Sequence, residues 1–395
     1  MEKKKLIISI ALGLVLYLIS TGISFAIFNS IKPSASQQVA SPLQGDQGGY
    51  DVDISGPKTE ACPLNGAMYT KNEKNVWDKR RPLAVMIENH SEARPQSGLS
   101  NADIIYEAVA EGGITRFMGI YYCGAAAKNL TLAPVRSART YFVDWVSEYD
   151  ALYNHVGGAG NCNDDTVDPR AKALCQIGKY NIKDMDQFGL PLKTADKKYY
   201  VCARNPDRLD HQVAYEHQMV CYTNGLYTIA SERDWTNVDG EGVSWDLNFT
   251  SWKFKEDIKV TERPASSLVE FSAWKGYDKE YGVKWEYDKT TNSYKRSNGG
   301  ILQTDLETKQ QLTAKNIVLQ FSKETGSVDE HAHLLYQTIG EGEAMILQDG
   351  KKIEGTWSKD DRTSRTKFFD NNGREIQFNR GQIWIEVLPT GTAVK

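Results

Sequence analysis

Three short clusters carry the side chains whose types and spacing could do chemistry. Glu88-Asn89-His90, Arg136-Ser137-Ala138-Arg139 and Asn154-His155-Val156-Gly157-Gly158 bring acids, imidazoles and guanidinium groups beside turns of the chain. Imidazoles and carboxylates can serve as general acid and base near neutral pH, which makes Glu88, His90 and His155 the candidates for catalysis. Arg136 and Arg139 are three apart at an expected helix start, so both can project from one side of its first turn. The helix dipole disfavours cations there. The pair therefore needs an anion, either a protein carboxylate or a ligand. As a ligand site the expected set is Arg136, Ser137, Arg139, Asn154, His155, Gly157 and Gly158, and its chemistry suits a carboxylate or phosphate. The structural alternative pairs the arginines with Asp144, Glu148 or other acids and packs His155 in the core.

Other polar groups carry less. Glu111 and Arg116 read as an ion pair around the Gly112-Gly113 turn, on the opposite sheet edge together with Glu107 and Thr115. His331-Ala332-His333 has no cysteine or clear third ligand near it, and Glu216-His217 reads as a surface loop. Gly-x-Ser-x-Gly, Walker and His-Glu-x-x-His patterns do not occur. Gly157-Gly158-x-Gly160 lacks the dinucleotide spacing, so neither a cofactor nor a metal is expected. The six cysteines, Cys62, Cys123, Cys162, Cys175, Cys202 and Cys221, contain no Cys-x-x-Cys pair. Outside a membrane they read as disulfides, with buried free thiols as the alternative. Fifteen connectivities are possible, and the sequential pairing is the expected one.

The elements that must position these groups follow from periodicity. Leu83–Ile87, 114–123 and 151–156 read as strands. Ser100 to Asp103 resembles a helix cap, and Ile104, Ile105, Ala108 and Val109 then recur at helical spacing until Gly112-Gly113. Ser137 can cap a second helix whose apolar face is Tyr141, Phe142, Trp145, Val146 and Tyr149. The order β-α-β-α-β predicts a layered α/β domain with parallel strands, over residues 61–235. In such sheets ligands sit beyond the carboxyl ends of the strands, where the three clusters fall. From 245 to 392 short aromatic runs alternate with turns such as Asp349-Gly350 and Asn372-Gly373. That texture predicts a mainly antiparallel β domain.

At the amino end, lysines 3–5 precede an uncharged apolar run over residues 6–28. At 1.5 Å per residue it makes about 34 Å of helix, enough to span a bilayer. Residues 1–28 are therefore expected to be a cytoplasmic stub and a single transmembrane helix, with the bulk of the chain outside. A cleaved signal peptide ending near Ser24-Phe25-Ala26 is the alternative. Residues 29–60, rich in Ser, Gln, Gly, Pro and Asp, read as a flexible tether. The formal net charge of −4, with 47 basic and 51 acidic residues, offers no basic excess for nucleic acid. The 9 Trp, 20 Tyr and 12 Phe read mostly as core.

Residues 81–90, 93–117, 133–158 and 349–389 closely resemble the YerB-like bacterial lipoproteins, a family with paired amino- and carboxy-terminal domains of unknown function. The resemblance covers roughly 80–390. It implies an envelope protein that faces outward with a two-part ectodomain, and it brings no reaction with it. Unlike the lipoprotein members, this chain has no lipobox cysteine at the end of its apolar segment, which favours the transmembrane anchor over a lipid. The expected function is a binding module for a cell-wall (peptidoglycan) fragment or a wall-synthesis protein. The rival is a peptidoglycan-active hydrolase or transferase with a carboxylate/His acid-base pair.

Overall fold

The computed structural model describes residues 52–395, which fall in one compact unit. The expected transmembrane anchor and most of the expected tether lie outside the described residues. Among those described, no helix is long and apolar enough to cross a membrane. The last residues of the expected tether belong to the fold, because Lys58–Ala61 pairs with Met68–Thr70.

A ten-stranded mixed sheet organises the molecule. Strands β1 (Leu83–Glu88), β2 (Ile104–Val109), β3 (Thr115–Tyr121), β4 (Leu152–His155) and β5 (Lys183–Asp186) come from the first half of the chain. Strands β6 (Asn316–Ser322), β7 (Gly340–Gln348), β8 (Lys351–Lys359), β9 (Lys367–Asp370) and β10 (Ile383–Pro389) come from the second. Their order is β9-β8-β7-β6-β10-β2-β3-β1-β4-β5. The seam is parallel on both sides, with β10 between β6 and β2. Strands of both halves thus share one hydrogen-bonded sheet.

The β-α-β-α-β layering does not form. The stretch read as the first helix is β2, antiparallel to β3, which is itself antiparallel to β1. Ile104, Tyr106 and Ala108 enter one core while Ile105 enters the other. A strand buried on both faces is apolar throughout, and such a run satisfies helical spacing by chance. Asp103 directs its carboxylate at the Tyr122 and Gly124 amides instead of a helix start. The second helix does form, as Thr140–Val146, with Tyr141, Phe142, Trp145 and Val146 buried. Its N-cap is Arg139 rather than Ser137, and no side chain caps it. The described fold is mostly β, with few and short helices.

In the second half, Leu268–Phe271, Val283–Asp288, Ser293–Asn298 and Ile301–Leu302 form an antiparallel sheet. The β7–β8 hairpin turns on Asp349 and Gly350, both at positive φ (54° and 72°). An L side chain tolerates that region poorly, which is why Asp-Gly marks the turn. One core, around Trp145, Trp252 and Trp357, covers one face of the large sheet; Trp285, Leu226 and Trp384 fill the other. Trp77, Trp145, Trp285, Trp357 and Trp384 are fully buried, in keeping with aromatics as core. The cysteines pair sequentially, Cys62–Cys123, Cys162–Cys175 and Cys202–Cys221, with S–S distances of 2.10, 2.01 and 1.96 Å.

Candidate functional site

Strands β1, β2, β4 and β10 run in one direction, so their carboxyl ends form one edge of the sheet. At the end of β1, Glu88 is almost fully buried. One oxygen meets His217 Nδ1 at 2.7 Å and the other lies 3.1 Å from Arg136 Nε. The strand end reaches Arg136 because Ile87 pairs antiparallel with Val135, with Glu88 N–H on Pro134 O and Arg136 N–H on Met86 O. His217 closes the short turn Tyr215–His217 ahead of the strand Met219–Tyr222. The ring of His90 stacks on it, centroids 4.7 Å apart and planes 19° apart. The result is a carboxylate–imidazole pair with a second imidazole alongside. The sequence pointed to Glu88, His90 and Arg136 but missed His217, which is 4% exposed and not a surface-loop residue.

Arg139 points elsewhere. Its guanidinium pairs with both oxygens of Glu111, Nη2 to Oε2 at 2.6 Å and Nε to Oε1. Arg116 joins the same carboxylate at 3.2 Å and donates to Ser137 O at 2.9 Å. Burial pushes the Glu111 carboxyl up, but Arg139 and Arg116 outweigh it and hold it down at about 2. Glu111 and Arg116 therefore lie on the same edge as Arg139, not opposite it, because β2 is a strand that ends there. His333 comes to 4.0 Å from Glu111 and is held by Asp329 at 2.8 Å.

The third cluster is locked into the fold. His155 is fully buried, with Nδ1 on Gly157 O at 2.8 Å and Nε2 on Asp184 at 3.0 Å. Both ring nitrogens are taken up by protein oxygens, so neither is presented to a ligand. Asn154 donates to Met185 O, Gly157 N–H donates to Asp186, and Gly158 bridges to Ala138. Arg136, Ser137, Asn154, His155, Gly157 and Gly158 are neighbours, then, but Arg136, Asn154 and His155 turn their side chains to protein partners.

A deeper network had no sequence signal. Arg296, from the small antiparallel sheet, is fully buried between Glu107 of β2 and Glu386 of β10. Parallel register sets the two carboxyls side by side, Glu386 opposite Glu107. One guanidinium cannot balance two carboxylates in a desolvated site, and burial pushes Glu386 well above the ordinary carboxyl range. Trp285 Nε1 donates to the same group at 2.9 Å.

On the second half a cleft of about 820 Å³ opens beside the strands Leu268–Phe271 and Val283–Asp288. Lys275, Lys284 and Lys395 line it together with Glu270, Asp278 and Phe271. It offers both signs of charge and an apolar floor.

Residues 66–207 match the family model described as the DUF3048 N-terminal domain, of unknown function, and residues 273–385 match its C-terminal domain. Together the matches span more than half of the chain. The chain belongs to this family. A Bacillus subtilis (strain 168) relative, described as "Putative lipoprotein YerB", is 29% identical over 340 residues, 83% of this chain and 86% of its own. The crystal structure of YerB from Bacillus subtilis shares the fold, with a TM-score of 0.66 at 23% identity. It covers 85% of this chain and 100% of that chain.

In this family member, the Glu88–Arg136 contact and the Glu111 clamp lie inside the N-terminal match, while Arg296 lies in the C-terminal one. Arg296 and Glu107 thus join the two matched domains. His217 falls between the matches. The one signal that could have found it is its place just ahead of Met219-Val220-Cys221-Tyr222, a buried strand whose cysteine is bonded back to Cys202.

Proposed function

We propose that this is a membrane-anchored envelope protein, facing outward, whose ectodomain binds a cell-wall fragment or a wall-synthesis partner. The naming of its relative as a lipoprotein supports a surface location, and the apolar segment at 6–28 would supply the anchor here in place of a lipid. The observation that carries the binding reading is the cleft. Three ammonium groups and two carboxylates around an apolar floor suit a short peptide that bears both carboxylates and amines, as wall stem peptides do. The arginines and His155 expected to hold a ligand are turned to internal partners, which leaves the cleft as the better seat.

Retention of the purified protein on insoluble peptidoglycan, without release of soluble fragments, is the expected result. Lys275→Glu with Lys284→Glu should weaken retention about tenfold, equivalent to about 1.4 kcal/mol. Absence of retention, or retention unchanged in that variant, overturns the reading. Protease added to intact cells should remove the ectodomain; full protection would refute the topology. A second reading has its own observation. Glu88 holds His217 Nδ1 and leaves Nε2 beside His90, an arrangement fit for acid-base hydrolysis. Soluble wall products that disappear in His217→Ala would favour it.

A further inference from the structure

We propose that His90, Glu92 and His217 form a binding site for a divalent transition-metal ion. The inference is independent of the cleft and of any wall ligand. One ligating atom from each of the three lies within 4.8 Å of the others. His217 Nε2 and Glu92 Oε2 are 4.0 Å apart, and the two imidazoles are stacked with their planes 19° apart. Ligand atoms about 2.0–2.2 Å from a tetrahedral ion stand closer together than this, so the donors must close in by a small movement. The Glu92 side chain is 64% exposed and free to make that movement.

The groups behind the site are arranged as a metal centre requires. His217 donates Nδ1–H to Glu88 at 2.7 Å, which fixes the tautomer and leaves the Nε2 lone pair facing Glu92. A carboxylate behind a ligating imidazole orients the ring and raises its basicity. Glu88 is itself held by Arg136 at 3.1 Å. The ring of His90 takes a long bond from the Glu92 amide, 3.3 Å, and the lone pair used there is the one a metal would take in its place. Two imidazoles and one carboxylate suit zinc, cobalt or nickel; calcium and magnesium prefer all-oxygen sites. Three protein ligands leave a fourth position for water or an anionic group. The sequence conceals the site because His217 is more than a hundred residues from its partners and no local spacing links them.

The test uses the full chain, stripped with chelator and titrated with Co²⁺ as a spectroscopic probe and Zn²⁺ as competitor. One Co²⁺ per chain with visible ligand-field absorption is expected, displaced by one Zn²⁺. His90→Gln and Glu92→Gln, at accessible positions, should abolish the absorption with the melting temperature of the metal-free protein unchanged. Glu88→Gln should weaken binding by about 10- to 100-fold, and His331→Ala should leave it intact. Zn²⁺ should raise the melting temperature of the wild type and not of His90→Gln. Failure to bind Co²⁺ stoichiometrically overturns the proposal, as does undiminished binding in folded His90→Gln and Glu92→Gln.

Discussion

Arg139 and Glu111 show how a single residue's role turns on one partner. Two arginines three apart suggested a ligand's anion, yet Arg139 faces Glu111 inside the protein, with little of either guanidinium or carboxylate exposed. Arg139→Ala removes the bidentate partner and leaves Glu111 with Arg116 alone, so it should cost about 1.5–3 kcal/mol in denaturant unfolding. Arg136→Ala should cost less, because its side chain is 24% exposed. The Glu111 carboxyl is held at about 2, below its ordinary 4.5. Its contribution is therefore present above about pH 4.5 and lost as the pH falls toward 2. Glu111→Gln should flatten that acid limb of the stability profile. Asp103 behaves in the opposite sense. Burial pushes it up to about 7 from 3.8, against amide donors that favour the charge. Its contribution is full below about pH 4 and fades as the pH rises through 7. Asp103→Asn should nonetheless destabilise by about 1–3 kcal/mol, since an amide cannot accept from Asn65, Tyr122 and Gly124 together.

At the scale of elements, strand β2 is the instructive case. Ile104-Ile105-Tyr106-Glu107-Ala108-Val109 carries apolar groups at both helical and strand spacings. What makes it a strand is a partner on either side, β3 and β10. Truncation before β10 should therefore expose one edge of β2, and amide exchange there should rise toward the rate of an unpaired strand. The disulfides act more locally. Cys62–Cys123 spans 61 residues and Cys162–Cys175 spans 13. Closing the longer loop removes more disorder from the unfolded chain, so its loss should cost about 1 kcal/mol more than loss of the shorter one. Paired Cys→Ser variants compared by thermal melting would measure that difference.

For the whole molecule, the central sheet and the Arg296 network make the two halves mutually dependent. Arg296 lies in the second half and Glu107 in the first, both buried, 2.6 Å apart. Calorimetry should record one cooperative transition for residues 52–395, and either half alone should remain unfolded. Two separate transitions would show that the shared sheet does not couple them. The network also predicts an asymmetry between substitutions. Glu386 is pushed toward its neutral form, so Glu386→Gln should cost less than about 1 kcal/mol, whereas Arg296→Met should cost about 3–5.

Features that depend on neighbours in sequence were legible from the chain alone. The disulfides Cys162–Cys175 and Cys202–Cys221, the Asp349-Gly350 hairpin and strands β1, β3 and β4 rest on short loops, backbone φ preferences and β-branched runs. The polar edge was legible in part, since Glu88, His90 and Arg136 end or flank those strands. The rest was decided by contacts distant in sequence. Periodicity cannot tell a strand buried on both faces from a helix, so β2 was settled only when β10 arrived beside it. His217 meets Glu88 across 129 positions, and Arg296 meets Glu107 across 189. No local pattern encodes such pairs, because each is stabilised only after the sheet has folded and excluded water from both groups.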